Sequence, residues 1–488
     1  MKKKISRRNF IGSTLASLAL AGIIGCSNPP LELSHPEIVQ QEIERKKYNF
    51  VLLAPDTLRQ NRLGCYGYER NTSPNIDKFF SENSFKFSNA ISTAGWTVPT
   101  YVAFFTGQHP IRHGVVEKYH HLPGSVQTLP EILKKEGYMS AVFAPGFYAA
   151  QNKMHGAARG SDVYNIHKEG RYDPNQYTKA INWIGENKDN PFCLTIWGLD
   201  NHSAYLPPLP FKERFVNDKF CDPQSEAFPI RDFKLGESEV VPTRRWGVTE
   251  RLIEEMKVPN DKSRWKRAYD EAVAYTDHQV GRVFDFLKQE GLLDNTIVIL
   301  TSDHGEQLGE ANLETADHQN WYEDTLKVPY LVRVPNTKSQ VIHALNQSED
   351  VPATILDLLG IPIPESFDGR SCVPLITGER DSIRDYTFST GPAWSAVRGR
   401  HGGNGNLYKL VIQTGTRQSQ RLEKPLLFNV TRDPGELENL YEKESKIVEE
   451  LRERFYDWKR RIKTGEKPKE IELDEEALES LRNFGYLD

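Results

Sequence analysis

Three apolar runs in this 488-residue chain end in side chains that bind metals or move protons. "FVLLAPD" ends in Asp56, "LTIWGLDNH" runs into Asp200 and His202, and "TIVILTSDHG" ends in Asp303 and His304. A fourth position with chemistry is Thr97 in "STAGWTVPTYVAFFTG", two residues before Pro99. Proline near a helix start is favoured, and the N–H groups there attract anions. Read locally, Thr97 is an N-cap, the usual role of a threonine before a helix. Asp56 could likewise cap a helix, His202 could satisfy a loop, and "SDHG" could be a turn. Three strand ends of one kind beside a primed helix start outweigh those readings together. Such a set would hold one divalent metal, lower the hydroxyl pKa and aim it at a tetrahedral anion. Mn, Zn, Ca and Mg are the candidates, and the imidazole of His304 favours Mn or Zn.

Positioning these groups requires a sheet whose strands end on one rim. "YNFVLLAPD" is near-continuously apolar, as a strand covered on both faces would be. "YMSAVFAP", "FCLTIWGLD" and "NTIVILTSDHG" are further strand-like runs, and helix-like segments stand around "SPNIDKFFSEN", "PTYVAFFTG" and "TLPEILKKEG". Alternation of this kind predicts an α/β fold with a doubly wound, mostly parallel sheet flanked by helices. Ligands of such sheets bind beyond the carboxyl ends of the strands. From about Tyr386 the texture changes to strand-like "TFSTGPAWSAVRG", "LYKLVIQTG" and "KPLLFNVTRD", then a charged helix, "SKIVEELRERFYDWKRRI". The expected organisation is a signal peptide over 1–25, a tether over 26–48, a catalytic domain over 49–385 and a smaller C-terminal α+β domain over 386–488. The closing "TGEKPKEIELDEEALESLRNF" reads as a solvated face.

The first ten residues, "MKKKISRRNF", are basic, and "IGSTLASLALAGIIG" follows up to Cys26. The apolar run is too short for a comfortable membrane span and has the flanks of an export signal. "SRRNFI" resembles a twin-arginine signal and "IIGC" a lipobox, which would make Cys26 the lipidated first residue of the mature chain. A bacterial lipoprotein follows, held in the cell envelope outside the cytoplasm by its lipid alone. Residues 1–25 hold five Lys/Arg and no acid, so their removal takes the formal charge from −5 to −10. That acidity excludes nucleic acid as a partner. Cys65, Cys193, Cys221 and Cys372 match no zinc spacing, and their pairing is not deducible.

The order of motifs resembles the sulfatase family of the alkaline phosphatase superfamily from about Asn49 onward. The carriers are "APDTLRQNRLGCYGYERNTSPNID", "WTVPTYVAFFTG" with "HPIRHGV", "DNHSAYLPP" and "GLLDNTIVILTSDHGEQLGE". "DHQNWYEDTLKVPYLVR", "PATILDLLGIPIPESFDGRS", "LFNVTRDPGELENL" and "LDEEALESLRNFGYLD" complete the series. The resemblance implies that Asp56, Asp303 and His304 hold the metal and that Thr97 is a nucleophile bridging to it. It implies catalytic roles for His202 and His318 near the ester's oxygens, and substrate contacts at Asp200, Tyr101 and Lys327.

Departures from the family pattern set the expected chemistry. Sulfatases carry Cys or Ser at the nucleophile, oxidised to formylglycine, with Pro two and Arg four residues later. Here those positions read Thr97, Pro99 and Tyr101. Oxidised Thr would be a ketone, so no formylglycine is expected. "PGFYAAQ" replaces the family's G-K-W-H segment, and Thr57 replaces a second Asp. A Thr nucleophile resembles the phosphoryl-transfer members of the superfamily, because water can cleave a phospho-threonine in line at phosphorus. The expectation is an exported hydrolase of a phosphate or sulfate ester, phosphoester favoured. The substrate would be a small anionic ester, a glycan or a lipid headgroup. The alternatives are a true sulfuric ester hydrolase, a phosphoryl transferase and a non-catalytic binder of anionic glycans.

Overall fold

A computed structural model describes residues 47–117, 119–145, 155–167, 175–202, 205, 207–216, 262–310, 316–401, 405–415, 422, 424–462 and 464–470. The expected signal peptide, Cys26, Cys221, nearly all of the expected tether and the closing residues 471–488 lie outside them. Among the described residues no helix is long and apolar enough to cross a membrane. Cys65, Cys193 and Cys372 form no disulfide.

The strands in chain order are β1 Asn49–Leu53, β2 Ser84–Ile91, β3 His120–His121, β4 Met139–Pro145, β5 Val163–His167 and β6 Phe192–Ile196. They continue with β7 Thr296–Thr301, β8 Gln307–Leu308, β9 Ala316–Asp317, β10 Tyr330–Arg333 and β11 Gln340–Gln347. The last five are β12 Tyr386–Thr390, β13 Trp394–Arg400, β14 Leu407–Gln413, β15 Leu426–Asn429 and β16 Lys469–Glu470. Eight of them form one sheet in the order β11-β2-β10-β7-β1-β6-β4-β5. All its pairings are parallel except those of β10, which runs antiparallel to β2 and β7. The doubly wound architecture expected from the sequence is therefore present.

Continuous apolar strands arise because both faces are covered. On β1, Phe50 and Leu52 enter one core while Val51 and Leu53 enter the other. On β7, Ile297 and Ile299 divide from Val298 and Leu300 in the same way. The first face packs helices Thr97–Thr106, Leu129–Lys135 and Asp350–Leu358; the second packs Gln176–Asn187 and Lys262–Gln289. Each large apolar side chain buried this way contributes about 1.5–3 kcal/mol. The 28-residue helix Lys262–Gln289 puts Trp265, Tyr269, Val273, Val280, Phe284 and Leu287 into the second core.

Strands β12 to β15 make a four-stranded antiparallel sheet. Helix Ser445–Arg461 covers it through Ile447, Val448, Leu451 and Phe455 against Val397, Leu410 and Leu427. Buried charges tie this unit to the turn before β10. Lys409 on β14 is fully buried, with Nζ 3.1 Å from Glu323 Oε1, 2.6 Å from the Trp321 carbonyl and paired with Glu436. Arg398 on β13 also pairs with Glu323.

Candidate active site

The chain leaving β1 stays joined to the chain leaving β6. Ala54 N–H donates to the Ile196 carbonyl at 2.9 Å and Asp56 N–H to the Gly198 carbonyl at 2.7 Å. Asp56 thus reaches the carboxyl rim beside the end of β7, fully buried. Thr57 follows at φ 55°, a left-handed conformation that strains a β-branched residue. Tyr269 holds it there, donating its hydroxyl proton to the Thr57 carbonyl at 2.6 Å and accepting from Arg59 N–H at 2.9 Å. The turn aims Thr57 N–H at Asp303 Oδ1, 3.2 Å away.

Asp303 Oδ1 also accepts from His304 N–H at 2.9 Å. Its Oδ2 is buried and has no hydrogen-bond donor among the described residues. His304 Nδ1 lies 2.8 Å from the Gly305 carbonyl, which can only accept, so Nδ1 carries the proton and Nε2 presents a lone pair. Burial holds this imidazole below its usual pKa, against the opposing pull of Asp303. Nε2 faces Asp303 Oδ2 at 3.3 Å, Asp56 Oδ1 at 3.6 Å and Thr97 Oγ1 at 3.2 Å.

An imidazole lone pair and two carboxylates, all fully buried, converge on one point, an arrangement that a bound cation would reconcile. Their ligand atoms lie within 4.8 Å of one another. A tetrahedral ion with bonds of about 2.1 Å has ligand–ligand edges of roughly 3.4 Å, and the contacts to Nε2 match that spacing. The residues present fit a divalent metal.

Thr97 is not the helix cap. Trp96 occupies that position without a side-chain bond, and Thr97 is the first helical residue. The residue is 3% exposed, and its hydroxyl turns to His304 instead. His318 stands close by, its ring 4.7 Å from that of His304 and 5.2 Å from that of His202, with Nδ1 3.2 Å from Glu306 Oε1.

Of the residues singled out in the sequence, Asp56, Thr97, His202, Asp303, His304 and His318 are brought together. Of the three assigned substrate contacts, Tyr101 and Asp200 are buried and Lys327 is half-buried. Tyr101 fills the first core, its fully buried ring 4.8 Å from Trp197 and 4.9 Å from Phe105, and burial raises its pKa. Asp200 is buried, which pushes its carboxyl up to about 7. Lys327 pairs by backbone with Ile91 beside Glu323 and Arg398; burial lowers its pKa while Glu323 opposes.

Sequence reasoning missed Glu306, Ser92 and Tyr269. Ser92 Oγ contacts the Asp303 carbonyl and lies 3.2 Å from Thr100 Oγ1, linking the end of β7 to the helix that carries Thr97. Glu306 had a local signal, an acid two residues after His304. Tyr269 had none, since it reaches Thr57 from a helix 212 positions away.

Residues 48–361 match the family model described as Sulfatase, and residues 312–461 match that described as N-sulphoglucosamine sulphohydrolase, C-terminal. The chain belongs to the sulfatase family. This sulfatase-family protein is a hydrolase, which sets aside the non-catalytic alternative. An N-acetylglucosamine-6-O-sulfatase of Bacteroides thetaiotaomicron is 22% identical, across 88% of this chain and 87% of the relative. A choline-sulfatase of Rhizobium meliloti is 24% identical, across 76% and 78%. Among solved structures, a complex with the substrate D-glucosamine-2-N,6-O-disulfate superposes with a TM-score of 0.68 at 20% identity, covering 85% of this chain and 98% of that one. A phosphonate monoester hydrolase of Agrobacterium radiobacter gives 0.63 at 17% identity, covering 87% and 100%. These two likenesses show the shared fold.

Proposed function

We propose that this sulfatase-family hydrolase cleaves an anionic phosphoester through Thr97. The observation that carries the reading is the Thr97 hydroxyl 3.2 Å from His304 Nε2, at the metal-fitting group of Asp56, Asp303 and His304. Mn or Zn fits the His304 nitrogen better than Ca or Mg. The bound ion would lower the hydroxyl pKa and neutralise charge on the ester.

Thr97, as the alkoxide, attacks phosphorus; the bond to the alcohol oxygen breaks, and that oxygen takes a proton from His318. Water then attacks the phosphorus of phospho-Thr97, the bond to Oγ1 breaks with its electron pair returning to Thr97, and a proton passes to His318. Phosphate leaves and the alkoxide is restored. Thr97 is 3% exposed, which limits the access of bulk water to the nucleophile.

A second reading is a sulfate ester on a glycan, favoured by the relatives described as sulfatases. It requires water to cleave a sulfated Thr97 at sulfur, because the C–O elimination open to an aldehyde hydrate is closed to threonine. Chromogenic phosphate monoesters, phosphate diesters and sulfate esters, assayed with Mn, Zn, Ca and chelator, test the choice. Metal-dependent turnover of phosphoesters above sulfate esters is expected, and turnover confined to sulfate esters would reverse it.

We propose that lipid on Cys26 holds the protein in the cell envelope, a reading supported by "SRRNFI" and "IIGC". Cys26→Ser is expected to release the protein from membranes in cell fractionation. A Ser variant bound as tightly as wild type would overturn the anchor.

A further inference from the structure

Glu306 lies two residues past His304 and is 1% exposed. Its backbone is anchored, since its carbonyl accepts from Arg59 Nη1 at 3.0 Å and Arg59 pairs in turn with Glu310 at 3.1 Å. From this fixed base Oε1 reaches His318 Nδ1 at 3.2 Å, and His318 itself is 4% exposed. A carboxylate accepts, so Nδ1 carries the proton in this contact. An imidazole whose one nitrogen is held by a carboxylate has its ring plane and tautomer fixed, and the other nitrogen becomes the working atom.

We propose that Glu306 is a positioning residue that orients His318, so that Nε2 is the atom exchanging a proton with the leaving oxygen and then with the attacking water. The inference rests on the Thr97 reading. It assigns Glu306 no contact with substrate or metal. Within one turnover Nε2 gives a proton to the departing alcohol and regains one from water, while Nδ1 keeps its proton on Glu306 throughout. The ring is placed for this work, beside His304, whose Nε2 already contacts Thr97.

Glu306→Gln, Glu306→Ala, His318→Ala and the double alanine variant, all metal-loaded, test the assignment against an alkyl and a 4-nitrophenyl phosphoester. Loss of an orienting carboxylate is expected to lower kcat/KM, which reports the step in which the alcohol departs, about 10–100-fold on the alkyl ester. On the nitrophenyl ester, whose leaving group needs no proton, the loss in kcat/KM should be small, with metal content unchanged. Glu306→Ala should add no further loss to His318→Ala. Equal losses on both esters, additive losses or lost metal would overturn the role. Nitrogen-15 NMR of the histidine rings, assigned with His318→Gln, gives a readout that needs no substrate. At a pH where the ring is neutral, a protonated Nδ1 in wild type that moves to Nε2–H in Glu306→Ala supports the proposal even if no ester is cleaved, in which case the Thr97 reading fails alone. An unprotonated Nδ1 in wild type overturns it.

Discussion

Thr97 Oγ1 and His304 Nε2 meet at 3.2 Å although 207 positions separate them in the chain. One follows β2 and the other follows β7, with β10 between those strands in the sheet. The nucleophile and the metal group are therefore joined by the sheet, and perturbing either has separable effects.

Replacing the nucleophile should stop turnover without unfolding the protein. Thr97→Ala is expected to lower kcat at least about a thousandfold, on the scale of other nucleophile deletions. Because Trp96 and not Thr97 is the cap, the stability loss should stay below the ~1 kcal/mol typical of a lost cap. Thr97→Ser should keep measurable turnover. Steady-state kinetics with urea unfolding checks all three, and wild-type turnover by the alanine variant would remove the mechanism.

Metal binding should stabilise the fold. Asp303→Asn and His304→Ala remove a charge and a ligand from the buried group, and both should lower metal content by elemental analysis. Chelation of wild type should lower Tm, since an ion at a hundredfold excess over its Kd contributes ~2.7 kcal/mol. A Tm indifferent to chelator, with full metal in both variants, would misplace the site.

Asp200 should make stability depend on pH. Burial raises its folded pKa to about 7, so the folded chain holds this proton more tightly than the unfolded one. The cost of ionisation begins near the unfolded value of about 3.9 and is complete above the folded one. Asp200→Asn should thus exceed wild type by up to ~4 kcal/mol at pH 8, the gap closing as pH falls toward about 4. Urea titrations across that range would show a constant difference if the carboxylate were solvated.

Lys409 is the cation between two buried acids. Lys409→Met leaves Glu323 and Glu436 facing each other, and breaking such a pair costs about 3–5 kcal/mol. Burial raises Glu436 to about 7, with Lys409 opposing, so the loss should be larger at pH 8 than at pH 6. Chemical denaturation at the two pH values measures it; a pH-independent loss below 1 kcal/mol would contradict the arrangement.

What could be read in the sequence follows from where each element lies. Strands β1, β4, β6 and β7 are adjacent or nearly so at the centre of the sheet and declare themselves as continuous apolar runs. Strands β2, β5, β10 and β11 went unnoticed: β11 exposes Val341 and His343 at the sheet edge, and β10 has only four residues. The long helix Lys262–Gln289 carried its signal in Trp265, Tyr269, Val273, Val280 and Phe284, diluted by the charges of its other face. The metal group was legible because Asp56, Asp303 and His304 each follow a strand within three residues. Whether Thr97 caps its helix or begins it turns on one residue of boundary, which pattern does not resolve.

The span of 207 positions between Thr97 and His304 also orders events in time. Contacts so distant form only after loop-closure entropy has been met by pairing of the central strands. A partly made chain ending before Asp303 lacks two of the three ligands, so the ion is acquired after synthesis of the first 304 residues and assembly of the sheet. Protein moved across a membrane already folded would then carry the ion of the compartment where it was made, while protein moved unfolded would take the ion of the compartment where it arrives.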